Sequence, residues 1–174
     1  RQENVDSKKN LKSILEILNT IATTYHRKII FSTHPRTKDK LDKLENFKIN
    51  ENIEFLKPFG FFDFLSLQIN SLCVISDSGT ISEESSILNF PAITLRKSME
   101  RPEAIDSGSI ILTGLNKEVV LKSLELVMDQ KKEKEANSIP LEYCVTNTSW
   151  RIVKLILGTA KMSNDWNSII KIDK

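Results

Sequence analysis

The sequence has few cysteines, and this scarcity excludes two classes of protein. Only Cys73 and Cys144 are present among 174 residues, and they have neither a metal-ligand spacing nor the pattern of a disulfide framework. We therefore expect no metal site and no disulfide. Two unpaired thiols are typical of the reducing cytoplasm, which is the location we predict. Nothing in the sequence implies a cofactor.

Net charge and long apolar runs are also missing. The chain has 25 basic and 23 acidic residues, for a formal charge of +2. With so small a net charge, the protein has no strong positive electrostatic field that would attract nucleic acid or an anionic membrane. No apolar run approaches the length of a membrane span, and no signal peptide opens the sequence. We predict neither nucleic acid nor membrane as a partner.

What remains is the composition of an ordinary globular domain, with 40% hydrophobic and 28% charged residues. Apolar periodicity predicts a helix from Ser7, with Asp6 as its N-cap, and further helices over 61–69, 117–128 and 149–160. Another helix is expected from about Ile81 until Phe90-Pro91 closes it. Short apolar runs predict strands at 28–33, 53–56, 72–75, 92–95 and 109–112. A charged, solvated and at best helical segment is expected at 38–48, a polar loop at 96–106, a charged linker at 130–138 and a tail at 165–174. Strands alternating with helices indicate α/β class, a Rossmann-like parallel sheet with helices on both faces.

The most informative stretch is 74–95, where an apolar strand breaks at Ser76-Asp-Ser-Gly79 and restarts as a helix at about Ile81. Gly79 is expected to provide the backbone freedom of a tight turn. Thr80 followed by Glu83 fits a capping box. A helix start behind a small, hydroxyl-bearing loop presents free N–H groups and a positive dipole end. It is therefore a candidate site for an anion such as phosphate.

Glu84 does not fit a purely structural role in this helix. Helical spacing places it on one face with Ile81, Ser85 and Leu88, which predicts an inward-facing carboxylate. A carboxylate accepts hydrogen bonds from both hydroxyls of a ribose. Pairing with a nearby Arg or Lys is an equally good explanation, and the sequence leaves both open.

The run 76–84 followed by Glu100-Arg-Pro-Glu103 resembles the non-hydrolysing UDP-N-acetylglucosamine 2-epimerases. The opening Arg1-Gln-Glu-Asn resembles the His-Arg-Glu-Asn motif of that family without its His. Segments 85–91 and 143–147 resemble the branch that makes UDP-N-acetyl-L-fucosamine for capsule or O-antigen (lipopolysaccharide) sugars. The resemblance implies the C-terminal domain of a two-domain GT-B fold.

The resemblance also implies roles for individual residues. Ser78, Gly79 and Thr80 would hold the diphosphate with Arg101, Glu84 would bind the ribose, Phe64 would lie against the uracil, and Arg1 would join the substrate site. Thr80 stands where many members have a second glycine, which narrows the loop. His34 and Arg36 match an accessory site for a second, activating sugar nucleotide. A local hydrogen bond at a strand end is the simpler explanation for His34.

The implied reaction is anti elimination of UDP to a glycal, followed by readdition with inversion at C2. The catalytic residues of the family lie in an amino-terminal half, so none is expected in this chain, which alone would bind UDP weakly without epimerising it. Implied partners are a UDP-sugar, the amino-terminal half in the same polypeptide or as a separate subunit, and a second copy in a homodimer. We expect a UDP-binding domain over 1–148, and over 149–174 a terminal helix and tail that cross to the other half.

Two alternatives remain open from the sequence. A GT-B glycosyltransferase would use the same nucleotide site, including a ribose-binding carboxylate, but would transfer the sugar to an acceptor. An inactive remnant would act as a regulatory or assembly module. The Glu100-Arg-Pro-Glu103 segment favours the epimerase.

Overall fold

The structure is a computed structural model that describes residues 1–44, 47–133 and 139–167. Its chain divides into two compact units, Arg1–Pro140 and Leu141–Lys174. The first unit contains α1 (Gln2–Val5), α2 (Lys8–Tyr25), β1 (Ile29–Ser32), α3 (Pro35–Asp42), β2 (Ile53–Leu56), α4 (Phe61–Asn70), β3 (Val74–Ser76), α5 (Ile81–Leu88), β4 (Ala92–Thr94), α6 (Pro102–Asp106), β5 (Ile111–Leu112) and α7 (Lys117–Lys132). Strands and helices alternate along it, which confirms the predicted α/β class.

All strand pairs in the described residues are parallel, but they form two sheets instead of the one expected. Strands β1 and β2 make a two-stranded sheet with Ile29 opposite Ile53. Strands β3, β4 and β5 make a three-stranded sheet with β4 in the centre. In the described residues, no strand of the first sheet pairs with a strand of the second.

A single apolar core nevertheless underlies both sheets. Ile14 and Leu18 of α2 and Val120 of α7 belong to the same buried cluster as Ile53 of β2 and Ile93 of β4. The stripe of α2 that the sequence predicted to be apolar is the buried face of the helix. Helices α2 and α7 therefore pack over strands from both sheets, which belong to one domain.

Two local predictions are wrong. The N-cap of α2 is Ser7, whose hydroxyl accepts a hydrogen bond from the Asn10 N–H at 3.2 Å, and not Asp6. Asp6 ends α1 and instead forms an ion pair with Arg36 at 2.5 Å. The expected polar loop at 96–106 contains the short helix α6, because Pro102 at its first position already has a helical φ.

The second unit contains a 3-10 turn (Leu141–Cys144), α8 (Thr148–Thr159) and α9 (Ser163–Trp166). Helix α8 confirms the predicted final helix. The predictions for 134–138 and 168–174 lie outside the described residues. No helix in the described part of the chain has the length and apolarity needed to cross a membrane.

Candidate functional site

The site is centred on the turn between β3 and α5. Strand β3 ends at Ser76, one residue beyond the predicted end, and α5 begins at Ile81, as the sequence predicted. The Ser78 N–H donates to the Ser76 hydroxyl at 3.0 Å, and the hydroxyls of Ser78 and Thr80 lie 3.0 Å apart. The turn is thus lined with hydroxyl groups at the N-terminus of a helix, where an anion is favoured.

The predicted capping box is wrong. Thr80 has helical dihedral angles (φ −68°, ψ −13°), and its side chain makes no capping hydrogen bond. Glu83 does not reach back to the helix start but accepts from Arg101 Nε at 2.5 Å. A charge-assisted bond to a guanidinium is stronger than one to a neutral backbone amide, which explains the choice.

Gly79 is needed because a side chain at this position would collide with neighbouring arginines. Its φ is not in the left-handed region, where the structure places only Gly108 and Gly114 among the described glycines. The expected backbone freedom is therefore not its role. A Cβ built on Gly79 would lie 2.5 Å from Arg101 Nη1 and 3.5 Å from Arg96 Nη1. The missing side chain lets two arginines approach the turn.

Arg96, which the sequence analysis did not single out, is the most buried charged side chain of the site. It is 1% exposed, and its guanidinium donates to Glu100. Arg1 reaches the same carboxylate oxygen at 3.2 Å. The hydrogen bond from Arg96 lowers the pKa of Glu100 from 4.5 to about 2. The position of Arg96 just after the buried run 92–95, at the carboxyl end of a strand, was the signal available in the sequence.

Asp77 attaches the first residues of the chain to this turn. Its Oδ2 accepts from the α-amino group of Arg1 at 2.7 Å and from Asn4 Nδ2 at 2.9 Å. Burial alone would raise the pKa of Asp77, but these hydrogen bonds outweigh it and the pKa is lowered. Asp77 is therefore a carboxylate that fixes α1 beside the end of β3.

Glu84 has a partner that neither sequence explanation named. It is half-buried, and its Oε2 accepts from Gln68 Nε2 of α4 at 2.7 Å. The predicted inward face of α5 is partly wrong, because Leu88 is 36% exposed. The residues of α5 that are buried are Ile81, Ser82, Ser85 and Ser86.

Phe64 lies on the same helix as the partner of Glu84. It precedes Gln68 by four residues on α4, so both side chains share one face of that helix. The ring of Phe64 is 37% exposed. The pair of α4 and α5 thus places an accessible aromatic ring on the side of the helix that contacts Glu84.

The hydrogen bonds of the His34 and Arg36 side chains are made to residues outside the Ser78-Gly79 turn. The His34 Nδ1 accepts from the Arg36 N–H at 3.2 Å and caps α3, which is the local bond that the sequence allowed. Arg36 pairs with Asp6, and that hydrogen bond lowers the pKa of Asp6. These contacts connect the end of β1 to α1.

Arg1, Arg96 and Arg101 therefore surround the Ser78-Gly79 turn, each held by a carboxylate. Such a set can bind an anionic group by charge and hydrogen bonding. The described residues include no group of His, Cys, Asp and Glu side chains able to hold a metal.

Ser78 and Thr80 of the turn are exposed to solvent. Two cavities of the described structure lie elsewhere, one of about 280 Å³ beside Leu15 and Phe55 and one of about 460 Å³ beside Pro91 and Leu126.

Comparison with known proteins finds the family that the sequence resembles. The family model described as UDP-N-acetylglucosamine 2-epimerase matches residues 1–157. A UDP-N-acetylglucosamine 2-epimerase of Methanocaldococcus jannaschii is 43% identical over 135 residues, covering 76% of this chain and 37% of that protein. A putative UDP-N-acetylglucosamine 2-epimerase of Thermotoga maritima is 30% identical over 171 residues, covering 94% of this chain and 43% of that protein.

Solved structures give the same result. The Methanocaldococcus jannaschii enzyme in complex with UDP-GlcNAc and UDP superposes with a TM-score of 0.76 at 39% identity, covering 90% of this chain and 43% of that one. The epimerase from Rickettsia bellii has a TM-score of 0.78 at 39% identity, covering 91% of this chain and 43% of that one. This chain spans less than half the length of these relatives. With the family model matched over 1–157, the chain belongs to the UDP-N-acetylglucosamine 2-epimerase family.

Proposed function

We propose that this chain is the UDP-sugar-binding half of a UDP-N-acetylhexosamine 2-epimerase. The observation that carries the proposal is the approach of Arg101 and Arg96 to the Ser78-Gly79 turn, at the N-terminus of α5. Backbone N–H groups, hydroxyls and guanidinium groups converge there, which is the chemistry that binds a diphosphate. A related structure at 39% identity contains UDP-GlcNAc and UDP.

The diphosphate would be an anionic partner of the Arg101 guanidinium, as a carboxylate is. Glu83 holds Arg101 beside the turn, and Ser78, Gly79 and Thr80 provide the other contacts. Arg1, tied to Asp77 and Glu100, would contribute charge from the α1 side. As UDP leaves the sugar, negative charge grows on its phosphate oxygens, and these fixed cations would stabilise it.

The nucleoside would lie along α4 and α5. Gln68 orients the Glu84 carboxylate by donating to one of its oxygens, which prepares that group to accept bonds from the ribose hydroxyls. Phe64, one helical turn away on α4, would lie against the uracil. His34 and Arg36 lie at the start of α3, so a second sugar nucleotide that they contact would bind there.

The proton transfers at C2 are assigned to an amino-terminal half that this chain does not contain. Near the turn, Glu83 and Glu100 are engaged with Arg101 and Arg96, which supports a role in holding arginines. Asp77 accepts from Asn4 Nδ2 at 2.9 Å, which supports a role in holding α1. The reaction is elimination of UDP across C1 and C2 to a glycal, then readdition on the opposite face.

Finer assignments follow from the motifs. We propose the UDP-N-acetyl-L-fucosamine branch, a cytoplasmic role in capsule or lipopolysaccharide precursor synthesis, and a homodimer of the full-length protein in a GT-B arrangement. The domain boundary at 148 and the crossing of 149–174 to the other half belong to the same proposal. In support, a relative from Pseudomonas aeruginosa, 28% identical over 123 residues, is a UDP-2,3-diacetamido-2,3-dideoxy-D-glucuronate 2-epimerase, so the family includes modified sugars.

Calorimetric titration with UDP tests the nucleotide site. Replacing Glu84 by Ala removes hydrogen bonds to a charged group, so affinity should fall roughly 10- to 100-fold. Glu118→Ala is the matched control, because Glu118 is an exposed carboxylate in the first turn of α7. Equal affinity in the wild type and Glu84→Ala would disprove the ribose assignment.

The reaction is tested on the full-length protein in D₂O. Deuterium entering at C2 of UDP-GlcNAc, with free UDP as an intermediate, supports the epimerase. Transfer of the sugar to an acceptor identifies a glycosyltransferase, and nucleotide binding without any reaction identifies a remnant. Either of the last two results overturns the proposal.

A further inference from the structure

Met99 places a thioether sulfur among the charged groups of the site. It lies in the loop between β4 and α6. Its Sδ is 3.9 Å from Arg96 Nη1 and 3.7 Å from the Ser82 hydroxyl. Both groups are hydrogen-bond donors, and both contacts are weak because a thioether sulfur is a poor acceptor. The sulfur of Met99 thus borders the guanidinium that approaches the Ser78-Gly79 turn.

The Arg96 guanidinium has a donor to spare. Its side chain is 1% exposed, and within the described residues its Nε has no hydrogen-bond partner. Glu100 accepts from Nη2, and the acceptor beside Nη1 is the weak one of Met99. A buried donor without an acceptor costs free energy. A stronger acceptor at the position of the Met99 sulfur would therefore be stabilised by Arg96.

Met99 is also accessible to a dissolved oxidant. It is half-buried, and its neighbours Ser98 and Glu100 are exposed. Of the other two methionines, Met128 packs against the apolar core and Met162 is 45% exposed. In the described part of the chain, Met99 is the methionine whose sulfur contacts a guanidinium. Access to solvent and a charged donor therefore coincide at this residue.

We propose that Met99 is a site of reversible oxidation, at which a peroxide converts the thioether to a sulfoxide that draws Arg96 away from the Ser78-Gly79 turn. In this step the O–O bond of hydrogen peroxide breaks, an S–O bond forms, and the second oxygen leaves as water. The sulfur is oxidised by two electrons and the peroxide is reduced by two. Arg96 and Ser82, both beside the sulfur, would donate hydrogen bonds to the departing oxygen as its negative charge grows.

The sulfoxide oxygen would compete with a diphosphate for the same guanidinium. It carries partial negative charge and accepts hydrogen bonds far more strongly than the sulfur does. The Arg96 Nη1 that contacts Met99 is also the atom that would lie 3.5 Å from a Cβ on Gly79. Once that nitrogen donates to the sulfoxide, it is less available to a phosphate oxygen at the turn. This loss of UDP affinity rests on the proposed function, whereas the oxidation of Met99 does not.

Controlled oxidation tests the proposal. The chain is treated with hydrogen peroxide and then with dithiothreitol, which reduces disulfides and sulfenic acids at Cys73 and Cys144 but leaves methionine sulfoxide in place. Peptide mass spectrometry measures the oxidised fraction of each methionine, and calorimetry measures UDP affinity. Met99 sulfoxide should form, and UDP affinity should fall roughly 10-fold, as for the loss of one charge-assisted bond. Methionine sulfoxide reductases supplied with a dithiol should restore the affinity.

Three variants identify the responsible sulfur. Met99→Leu keeps a side chain of similar size without an oxidisable sulfur, so its UDP affinity should be the same before and after peroxide. Met99→Gln carries a strong oxygen acceptor permanently, so without any treatment it should bind UDP about 10-fold more weakly than the wild type. Met162→Leu is the matched control, which should bind UDP as the wild type does and lose the same affinity on oxidation.

A measurement without nucleotide separates this inference from the proposed function. In the absence of UDP, the NMR signals of the Arg96 guanidinium should shift when Met99 is oxidised, and its N–H protons should exchange more slowly with water. If the untreated chain does not bind UDP, the proposed function fails and these signals decide the inference. Unchanged Arg96 signals, or unchanged affinity in a UDP-binding chain with Met99 fully oxidised, would overturn it. So would a Met99 that stays reduced while Met162 is oxidised.

Discussion

At the scale of single residues, the site consists of charged side chains that hold one another beside a glycine. Arg96 is almost fully buried, yet Glu100, the acceptor of its hydrogen bond, is largely exposed. In the described residues the Arg96 Nε has no hydrogen-bond partner. A buried guanidinium with an unused donor is costly unless something compensates it. An anionic ligand at the turn would provide that compensation.

Gly79→Ala should weaken UDP binding. The new Cβ would lie 2.5 Å from Arg101 Nη1, so the guanidinium must move away from the turn. We expect affinity to fall about 10-fold, as for the loss of one charge-assisted bond. Stability should change by less than about 1 kcal/mol, because the end of a flexible side chain can shift. Calorimetry and thermal melting measure the two effects.

Gly158→Ala is the control for that substitution. A Cβ there meets no described atom within 4 Å, and Gly158 lies inside α8. Ala should stabilise the helix by about 1 kcal/mol and leave UDP affinity unchanged. Equal loss of affinity in both variants would contradict the role given to Gly79.

Glu100 should make stability depend on acid pH. Its pKa is about 2 in the folded chain against 4.5 ordinarily, because Arg96 donates to it. A lowered folded pKa stabilises the fold above about pH 4.5, and this contribution is lost as the pH falls toward 2. Glu100→Gln should therefore melt at a lower temperature than the wild type at pH 7 and at the same temperature near pH 2. A difference in melting temperature that persists at pH 2 would show that the charge of Glu100 is not the cause of the stabilisation.

The residues of the site were only partly predictable. The Ser78-Gly79 turn and the position of Ile81 follow from local chemistry, since a helix start leaves a short-range signature. The pairs Gln68–Glu84 and Glu83–Arg101 join side chains from different elements, and Arg96–Glu100 joins two side chains of one irregular loop. Spacing along the chain does not specify which partner a carboxylate selects, so the capping box was wrong and Arg96 was missed.

At the scale of elements, helix ends determine how the chain enters the site. Helix α2 begins at Lys8, and its N-cap Ser7 directly follows Asp6, which is paired with Arg36. The hydroxyl cap and the ion pair together fix the direction in which α1 leads into α2. The ends of β1 and β3 are thereby held close to one short helix.

Ser7→Ala should destabilise the chain by about 1 kcal/mol, because the Asn10 N–H loses its acceptor. Thr80→Ala is the matched comparison, since Thr80 occupies the N-cap of α5 without a capping bond. Its loss should be smaller than about 0.5 kcal/mol. Urea denaturation of both variants gives the difference, and equal losses would disprove the assigned cap.

The elements were more predictable than the site. Apolar periodicity placed α2, α4, α5, α7 and α8, and short apolar runs placed the strands within two residues at most positions. Helix α6 was missed because five residues are too few to show a period. The division into two sheets could not be predicted either, because it depends on which strand edges meet and not on any one segment.

At the scale of the whole molecule, the chain covers less than half of its relatives' length. If the exposed turn holds the nucleotide as proposed, a second body is needed to exclude water from the reacting sugar. The two-body requirement agrees with the proposal that proton transfer belongs to an amino-terminal half.

The chain alone should bind UDP without exchanging the sugar proton. Incubated with UDP-GlcNAc in D₂O, it should incorporate no deuterium at C2, whereas the full-length protein should incorporate it. NMR of the sugar measures both. A fully active 174-residue chain would refute the assignment of catalysis to the other half.

The α-amino group that contacts Asp77 has a consequence for how nucleotide affinity depends on the covalent state of Arg1. As a free terminus it adds a positive charge beside the turn. Joined through a peptide bond, or acetylated, the same nitrogen is neutral, and Asp77 becomes a less compensated negative charge near the proposed diphosphate. Chemical acetylation of Arg1 should therefore weaken UDP binding, most strongly at low salt, where the unbalanced carboxylate is least screened.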